Sequence, residues 1–165
     1  MKQLEYNAHS LNDTDNLGRV LASCLPGGTT VALCGTLGSG KTRLVQALAA
    51  ACGIPEGLAL SPTFVLCNEY HGRRTLYHFD AYRLKDEDEF LQLGPEECFA
   101  SPAITLIEWA DRVESCLPDS RLEVQIEVVA ETGRRFQLTA RGEALERALD
   151  EAAKLLGEQC RPLKE

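Results

Sequence analysis

The stretch that most constrains the fold of this chain is VALCGTLGSGKTRLVQALAAACG, from Val31 to Gly53. It begins with an apolar run typical of a buried strand, continues through a glycine-rich segment, and ends with apolar residues at helical spacing. Its octapeptide GTLGSGKT matches GxxxxGK[S/T], the pattern of a phosphate-binding loop (P-loop). A strand that leads through such a loop into a helix indicates an α/β domain.

The P-loop pattern predicts a site for the phosphates of a nucleotide. Glycines allow successive N–H groups to point into one concavity, and the N-terminus of the following helix adds the positive end of its dipole. Lys41 is expected to place its charge between the β- and γ-phosphates, and Thr42 to offer a hydroxyl to Mg²⁺. The predicted nucleotide contacts of the loop are Gly35, Thr36, Leu37, Gly38, Ser39, Gly40, Lys41 and Thr42.

Two acidic residues end apolar strands elsewhere in the sequence. Glu108 ends the strand in ITLIEW, and Asp80 ends the strand in LYHFDAY. Ligands of open α/β sheets lie beyond the carboxyl ends of the strands, so both acids are candidates to hold Mg²⁺ or its waters. The segment SPTF adds Thr63 as a candidate contact of the γ-phosphate, with a plain turn as the alternative. Trp109 is interpreted either as core packing or as a wall of the site.

The remaining patterns predict a mixed sheet. KQLEYN is predicted to be an edge strand, and DTDNLGRVLASCL a helix capped by Asp13. Alternating residues predict two antiparallel hairpins, one around Gly72 and one around the ETG of residues 131–133. EALERALDEAAKLLG is typical of an amphipathic helix. We therefore expect one α/β P-loop NTPase-like domain over residues 1–165, with parallel core strands, antiparallel hairpins and flanking helices.

Composition indicates which cellular environment and which binding partners to expect for this protein. The seven cysteines are odd in number and form no CxxC pair, so we expect reduced, mainly buried thiols. A net charge of −8 without a basic cluster disfavours direct binding of RNA or DNA and favours a basic protein partner. No apolar run reaches the roughly 18 residues of a membrane span, and the first residues lack the apolar core of a signal peptide. The cytoplasm is the expected location.

Four stretches, taken together, resemble one protein family. GTLGSGKT, SPTFVLCNEY, LYHFDAYRL and LIEW, in this order and at these separations, resemble the TsaE family of small bacterial ATPases over about Thr14 to Arg135. The resemblance implies an ATP hydrolase that supports the making of the threonylcarbamoyl group on adenosine 37 of tRNAs that read ANN codons. It also implies a protein partner, the TsaD–TsaB complex, in which TsaD performs the transfer.

The family pattern, carried over residue by residue, implies roles for the site. Lys41 and the amides of Gly38–Thr42 bind the phosphates of ATP, and Thr42 with Glu108 holds Mg²⁺. Asp80 lies beside the γ-phosphate and orients the attacking water. The expected catalytic residues are therefore Lys41, Asp80 and Glu108.

The resemblance also reaches two residues outside these stretches. Thr14 in DTDNLG and Arg134 in TGRRF match positions near the nucleotide base. The P-loop departs from the usual family sequence GDLGAGKT, because Thr36 stands where an acidic residue is common and Ser39 where alanine is common.

The residues by themselves also allow other functions. Gly38 makes the loop fit the tighter GxxGxGK[S/T] spacing of many small-molecule kinases, but the chain after Glu108 enters a hairpin without an insertion for a lid. A GTPase switch normally carries an NKxD stretch, which is not present. A nucleotide-sensing module without useful turnover is a further alternative. With no acceptor pocket evident, water is the expected acceptor of the γ-phosphate.

Overall fold

A mixed sheet runs through the centre of the protein in a computed structural model that describes residues 1–58 and 66–163. The strands are β1 (Lys2–Ala8), β2 (Thr30–Gly35), β3 (Cys67–His71), β4 (Thr75–Asp80), β5 (Ile104–Glu108), β6 (Arg121–Val128), β7 (Arg134–Arg141) and β8 (Cys160–Pro162). The helices are α1 (Leu11–Cys24), α2 (Lys41–Ala51), α3 (Glu87–Gln92), α4 (Pro95–Ala100) and α5 (Glu143–Leu156), with 3₁₀ segments at Ala110–Cys116 and Gly157–Gln159.

The eight strands lie in the order β3-β4-β5-β2-β6-β7-β1-β8. The pairs β4–β5, β5–β2 and β2–β6 are parallel, whereas β3–β4, β6–β7, β7–β1 and β1–β8 are antiparallel. Both hairpins expected from the alternating patterns are present as β3–β4 and β6–β7. The predicted α/β class, with a mixed sheet and flanking helices, is confirmed.

The strands β2, β4 and β5 alternate between two apolar layers. Leu33 of β2 belongs to the larger layer, which includes buried residues of α1, α2 and α5, while its neighbour Ala32 belongs to the smaller one. The smaller layer joins Phe79 of β4 and Ile107 of β5 to Phe90 of α3 and to the first 3₁₀ segment. Because successive strand residues point to opposite faces, the two layers lie on opposite sides of the sheet.

The amino-terminal elements differ from the sequence expectation in two details. β1 is not an edge strand, because the short β8 pairs with its outer side. The cap of α1 is Ser10 and not Asp13, since the Ser10 side chain accepts a hydrogen bond from the Asp13 amide at 3.3 Å. The Asp13 carboxylate in turn accepts from the His9 amide at 2.8 Å, so both residues stabilise the start of the helix.

The cysteines are free thiols, as expected, but the expectation that most are buried is wrong. Cys52 is buried in the larger apolar layer, whereas the other six are half-buried. Within the described residues, no helix is long and apolar enough to cross a membrane.

Candidate functional site

The P-loop joins the end of β2 to the start of α2 and has a backbone that requires glycine. Gly38 and Gly40 have φ angles of +75° and +108°, which side-chain-bearing residues rarely adopt. Gly35 is also constrained by space, because a Cβ there would lie 2.6 Å from the Ser39 hydroxyl and 2.8 Å from the Ile126 carbonyl oxygen. Gly40 immediately precedes α2, so the loop delivers its amides to the N-terminus of an 11-residue helix.

The Lys41 side chain folds back over its own loop. Its Nζ donates to the carbonyl oxygens of Gly35 at 2.7 Å and Thr36 at 2.9 Å. Only 5% of the residue is exposed. Burial lowers the pKa of the Lys41 ammonium, and the negative charges of Glu108 and Asp80 oppose that shift. A buried cation is thus held at the mouth of the P-loop, opposite two carboxylates.

The two predicted acids lie side by side at the ends of adjacent parallel strands. Asp80 of β4 is opposite Glu108 of β5 in the register of the sheet. Thr42, in the first turn of α2, donates its hydroxyl hydrogen to Oε1 of Glu108 at 2.6 Å. Glu108 is buried, whereas Asp80 is half-buried and accepts a hydrogen bond from the Tyr82 amide at 2.9 Å. The structure therefore brings together the hydroxyl and the carboxylate predicted to share Mg²⁺.

An open cleft of about 370 Å³ contains these groups. Its walls are residues 37–43 of the P-loop and α2, Asp80, Glu108 and Trp109, with Tyr82 and Arg83 at one side. The lining combines a lysine, helix N-terminal amides, a hydroxyl and two carboxylates. Such a set suits a phosphate chain accompanied by a divalent cation.

Trp109 is half-buried, forms a wall of this cleft and also packs against the smaller apolar layer. Its ring centroid lies 3.8 Å from Lys41 Nζ, which is the geometry of a cation–π contact. Its other neighbour is the ring of Tyr82, 4.8 Å away between centroids. The Trp109 backbone has a φ of 57°, a left-handed conformation that is unusual for a bulky residue. This turn directs the chain away from β5 immediately after Glu108.

Comparison with known proteins identifies the family. The family model described as threonylcarbamoyl adenosine biosynthesis protein TsaE matches residues 8–136. The chain belongs to the TsaE family. The match confirms the resemblance carried by GTLGSGKT, SPTFVLCNEY, LYHFDAYRL and LIEW, and it spans the P-loop, both acids and Trp109.

Relatives of the TsaE family match over most of their length. Two proteins named tRNA threonylcarbamoyladenosine biosynthesis protein TsaE are similar to this chain. That of Treponema pallidum is 41% identical over 78% of this chain and 95% of the relative. That of Bacillus subtilis is 34% identical over 93% of this chain and 96% of the relative. The crystal structure of Bacillus subtilis YdiB superposes with a TM-score of 0.81 at 29% identity, covering 93% of this chain and 97% of YdiB.

The remaining residues singled out from the TsaE resemblance lie in different places. Arg134 donates from Nε to the Ser39 carbonyl oxygen at 2.9 Å, so it supports the P-loop from behind. Thr14 is buried in the first turns of α1 and is not part of the cleft lining. Thr63 lies outside the described residues. Roles for Thr14 and Arg134 near a nucleotide base stay predictions.

Several polar residues of the site were not recognised in the sequence: Arg43, Tyr82 and Arg83 line the cleft, and His78 contacts Glu108. His78 is fully buried, and its Nε2 lies 2.6 Å from Oε2 of Glu108. A signal for it exists, because alternation along LYHFD places His78 on the same strand face as Asp80. A histidine within an apolar run, however, more often indicates a core residue than a member of a site.

Proposed function

We propose that this protein is a Mg²⁺-dependent ATPase that supports the formation of threonylcarbamoyladenosine at position 37 of tRNAs that read ANN codons. Its action is on a TsaD–TsaB partner complex, through a conformation that depends on the bound nucleotide. The observation that carries the proposal is the 2.6 Å hydrogen bond between Thr42 and Glu108, beside Lys41 and at the N-terminus of α2. Membership of the TsaE family supports the same conclusion.

ATP fits the cleft through its phosphates. Lys41 is held between the carbonyl oxygens of Gly35 and Thr36, where phosphate oxygens are stronger partners for an ammonium group. The N-terminal amides of α2 add donors, and the dipole of the helix favours the negative charge. The β- and γ-phosphates are therefore assigned to the segment from Gly38 to Thr42.

Thr42 and Glu108 fit the requirements of Mg²⁺. This cation prefers oxygen ligands and usually takes one or two from the protein, with the rest from water and phosphate. A hydroxyl and a carboxylate already in contact satisfy that demand with little rearrangement. When bound, Mg²⁺ neutralises charge that develops on the β- and γ-phosphate oxygens.

Asp80 is assigned to the attacking water. It lies opposite Glu108 in the register, in the wall of the cleft, and it is more exposed than Glu108. A carboxylate in that position accepts a hydrogen bond from water and directs the water's lone pair toward the γ-phosphorus. Glu108 is thus assigned to bind Mg²⁺, and Asp80 is assigned to orient the attacking water.

The charge of the chain supports a protein partner and not tRNA as the direct contact. A net charge of −8 offers few phosphate contacts, on which tRNA affinity depends. Hydrolysis of ATP leaves no stored product, so its useful result is a conformational state that a partner recognises. Threonylcarbamoyl transfer itself then belongs to the partner.

A paired assay tests this function. Binding of tRNA to the isolated protein is measured at low salt, where electrostatic attraction is strongest, and ATP hydrolysis is measured with and without TsaD–TsaB. We expect weak tRNA binding and slow hydrolysis that the partner accelerates, with Lys41→Ala inactive in both conditions. Tight tRNA binding would contradict the indirect role. Nucleotide-dependent partner binding without any hydrolysis would indicate a sensor, and transfer of the γ-phosphate to a metabolite would indicate a kinase.

A further inference from the structure

The buried imidazole of His78 contacts the carboxylate that is assigned to Mg²⁺. Its Nε2 lies 2.6 Å from Oε2 of Glu108, while the hydroxyl of Thr42 lies 2.6 Å from Oε1 of the same group. We infer that His78 is a positioning residue, which holds Oε2 of Glu108 so that Oε1 faces Thr42 and the metal. This inference rests on the proposed function, since it concerns the orientation of a metal-side carboxylate.

The register of the sheet creates this contact. His78 lies two residues before the end of β4, and Glu108 is the last residue of the parallel neighbour β5. Leu76 of β4 and Ile104 and Leu106 of β5 all belong to the larger apolar layer, so by alternation His78 and Glu108 share its face of the sheet. The carboxylate therefore lies between α2 on one side and the histidine on the other.

The hydrogen-bond pattern assigns the imidazole proton. An ionised carboxylate only accepts hydrogen bonds, so Nε2 must carry the hydrogen that points to Oε2. Within the described residues, Nδ1 of His78 is buried and has no hydrogen-bond partner. A hydrogen on Nδ1 would be a buried donor without an acceptor, which is unfavourable. The geometry thus specifies the neutral tautomer with the proton on Nε2.

Loss of the imidazole donor would change the orientation of the Glu108 carboxylate more than it would change the packing around it. Oε2 of Glu108 would become a buried acceptor without its partner, and the group would turn to recover a hydrogen bond for that oxygen. Residues that orient a metal ligand in this way typically change metal affinity by about 10–100-fold when they are replaced. A residue that only fills space would leave the orientation of Glu108 unchanged.

Two replacements separate orientation from packing. His78→Leu fills the site without a donor, whereas His78→Gln retains an N–H group that can reach Oε2. The matched control is His71→Leu on the same hairpin, where a 71% exposed histidine lies 3.3 Å from the Glu69 carboxylate. For each variant, nucleotide affinity is measured by calorimetry in EDTA and then across a Mg²⁺ titration.

Mg²⁺ is expected to increase nucleotide affinity. We expect His78→Leu to raise the Mg²⁺ concentration that gives half of this increase by about tenfold or more. Its nucleotide affinity in EDTA should stay within about twofold of the unmodified protein, since His78 acts through the metal ligand. His78→Gln should recover most of the loss, and His71→Leu should have no effect. Equal Mg²⁺ titrations for His78→Leu and the unmodified protein, or equal losses for the Leu and Gln variants, would overturn the inference.

A measurement on the metal-free protein is independent of any variant. The ¹⁵N shifts of the His78 ring should show a protonated Nε2 and an unprotonated Nδ1, and the reverse would overturn the inference even if His78→Leu does not fold. The proposed function fails separately: an unmodified protein whose nucleotide affinity ignores Mg²⁺ would contradict the metal site. Normal Mg²⁺ dependence together with an insensitive His78→Leu would contradict only the role of His78.

Discussion

The two halves of the sheet differ in where most of their charged and polar side chains make contacts. In the parallel half, formed by β4, β5 and β2, polar side chains near the strand ends are buried and contact one another. Glu108 accepts hydrogen bonds from both Thr42 and His78, and Lys41 lies beside it under the ring of Trp109. Each of these groups depends on its neighbours for its hydrogen bonds.

In the other, antiparallel half, formed by β6, β7, β1 and β8, Glu5 and Arg121 are buried, but two arginines of β7 pair with β6 near the surface. Arg135 of β7 lies 2.8 Å from Glu127 of β6, and Arg141 lies 2.8 Å from Glu123. These pairs alternate with the buried Phe136 and Leu138, so they lie on the face opposite the larger apolar layer. Water screens them, and such pairs contribute little to stability.

The difference separates polar groups that converge on the cleft from charge pairs that lie on the exposed face of the sheet. Buried polar groups that converge on one cleft are unfavourable unless each is satisfied, so their presence indicates a selected role. Pairs across an exposed sheet satisfy themselves locally. Substitutions in each half test whether the two halves separate this sharply.

The largest effect is expected for Lys41→Ala in the parallel half. The change removes an ammonium group that would contact the β- and γ-phosphates, and hydrogen bonds to charged groups contribute about 1.5–3 kcal/mol each. Affinity for Mg-ATP should therefore fall roughly 100-fold or more by calorimetry. Lys154→Ala is the matched control, because Lys154 is exposed on α5 and pairs only locally with Glu151. An unchanged affinity for Lys41→Ala would remove the basis of the P-loop assignment.

The next largest effects are expected for the two acids, and they should differ between Glu108 and Asp80. Glu108→Ala should weaken the dependence of ATP affinity on Mg²⁺ by about 10–100-fold, because the metal loses a carboxylate. Asp80→Ala should keep that dependence and lower turnover by about 100-fold or more, as loss of a group that positions water does. Titration of Mg²⁺ beside steady-state hydrolysis distinguishes the two. The opposite pattern would exchange the assignments of Glu108 and Asp80.

Much of the fold could be predicted because the informative patterns are long and local. The P-loop, both hairpins and α5 each extend over enough residues for alternation or helical spacing to be visible. The elements that were not predicted are short: α3 and α4 have six residues each, and β8 has three. Such lengths carry no period, and their positions depend on the sheet they pack against or pair with.

In the candidate site, too, some contacts could be predicted from the sequence and others could not. The proximity of Thr42 and Glu108 could be predicted, since the carboxyl ends of parallel strands meet at one edge beside the P-loop. The contact of His78 with Glu108 could not, because it depends on the register between β4 and β5. The interaction of Arg134 with Ser39 joins residues far apart in the chain, which no local pattern indicates.

A smaller effect concerns the backbone at Trp109. Its φ of 57° is unfavourable for any residue with a Cβ, by about 1–2 kcal/mol. Trp109→Gly should therefore be more stable than Trp109→Ala by about 1 kcal/mol in urea denaturation, the reverse of the usual order of these two residues. Both variants lose the contact with Lys41, so the comparison isolates the strain. An alanine variant at least as stable as the glycine variant would show that the turn relaxes.

The smallest effect is expected in the antiparallel half, where two neighbouring arginines provide the comparison. Arg135 and Glu127 are 40% and 60% exposed, so a double-mutant cycle with alanine at both positions should give a coupling below about 1 kcal/mol. Affinity for Mg-ATP should not change in Arg135→Ala. Arg134 is adjacent in sequence but points to the other face and donates to the Ser39 carbonyl oxygen.

Arg134→Ala should lower that affinity by roughly tenfold, since the P-loop loses a hydrogen bond from a charged donor. Stability measured by urea denaturation, together with calorimetry on both variants, checks the contrast. If Arg135→Ala weakened nucleotide binding as much as Arg134→Ala, the exposed face of the antiparallel half would be coupled to the P-loop. The separation of the two halves would then fail at β7, the strand that carries both arginines.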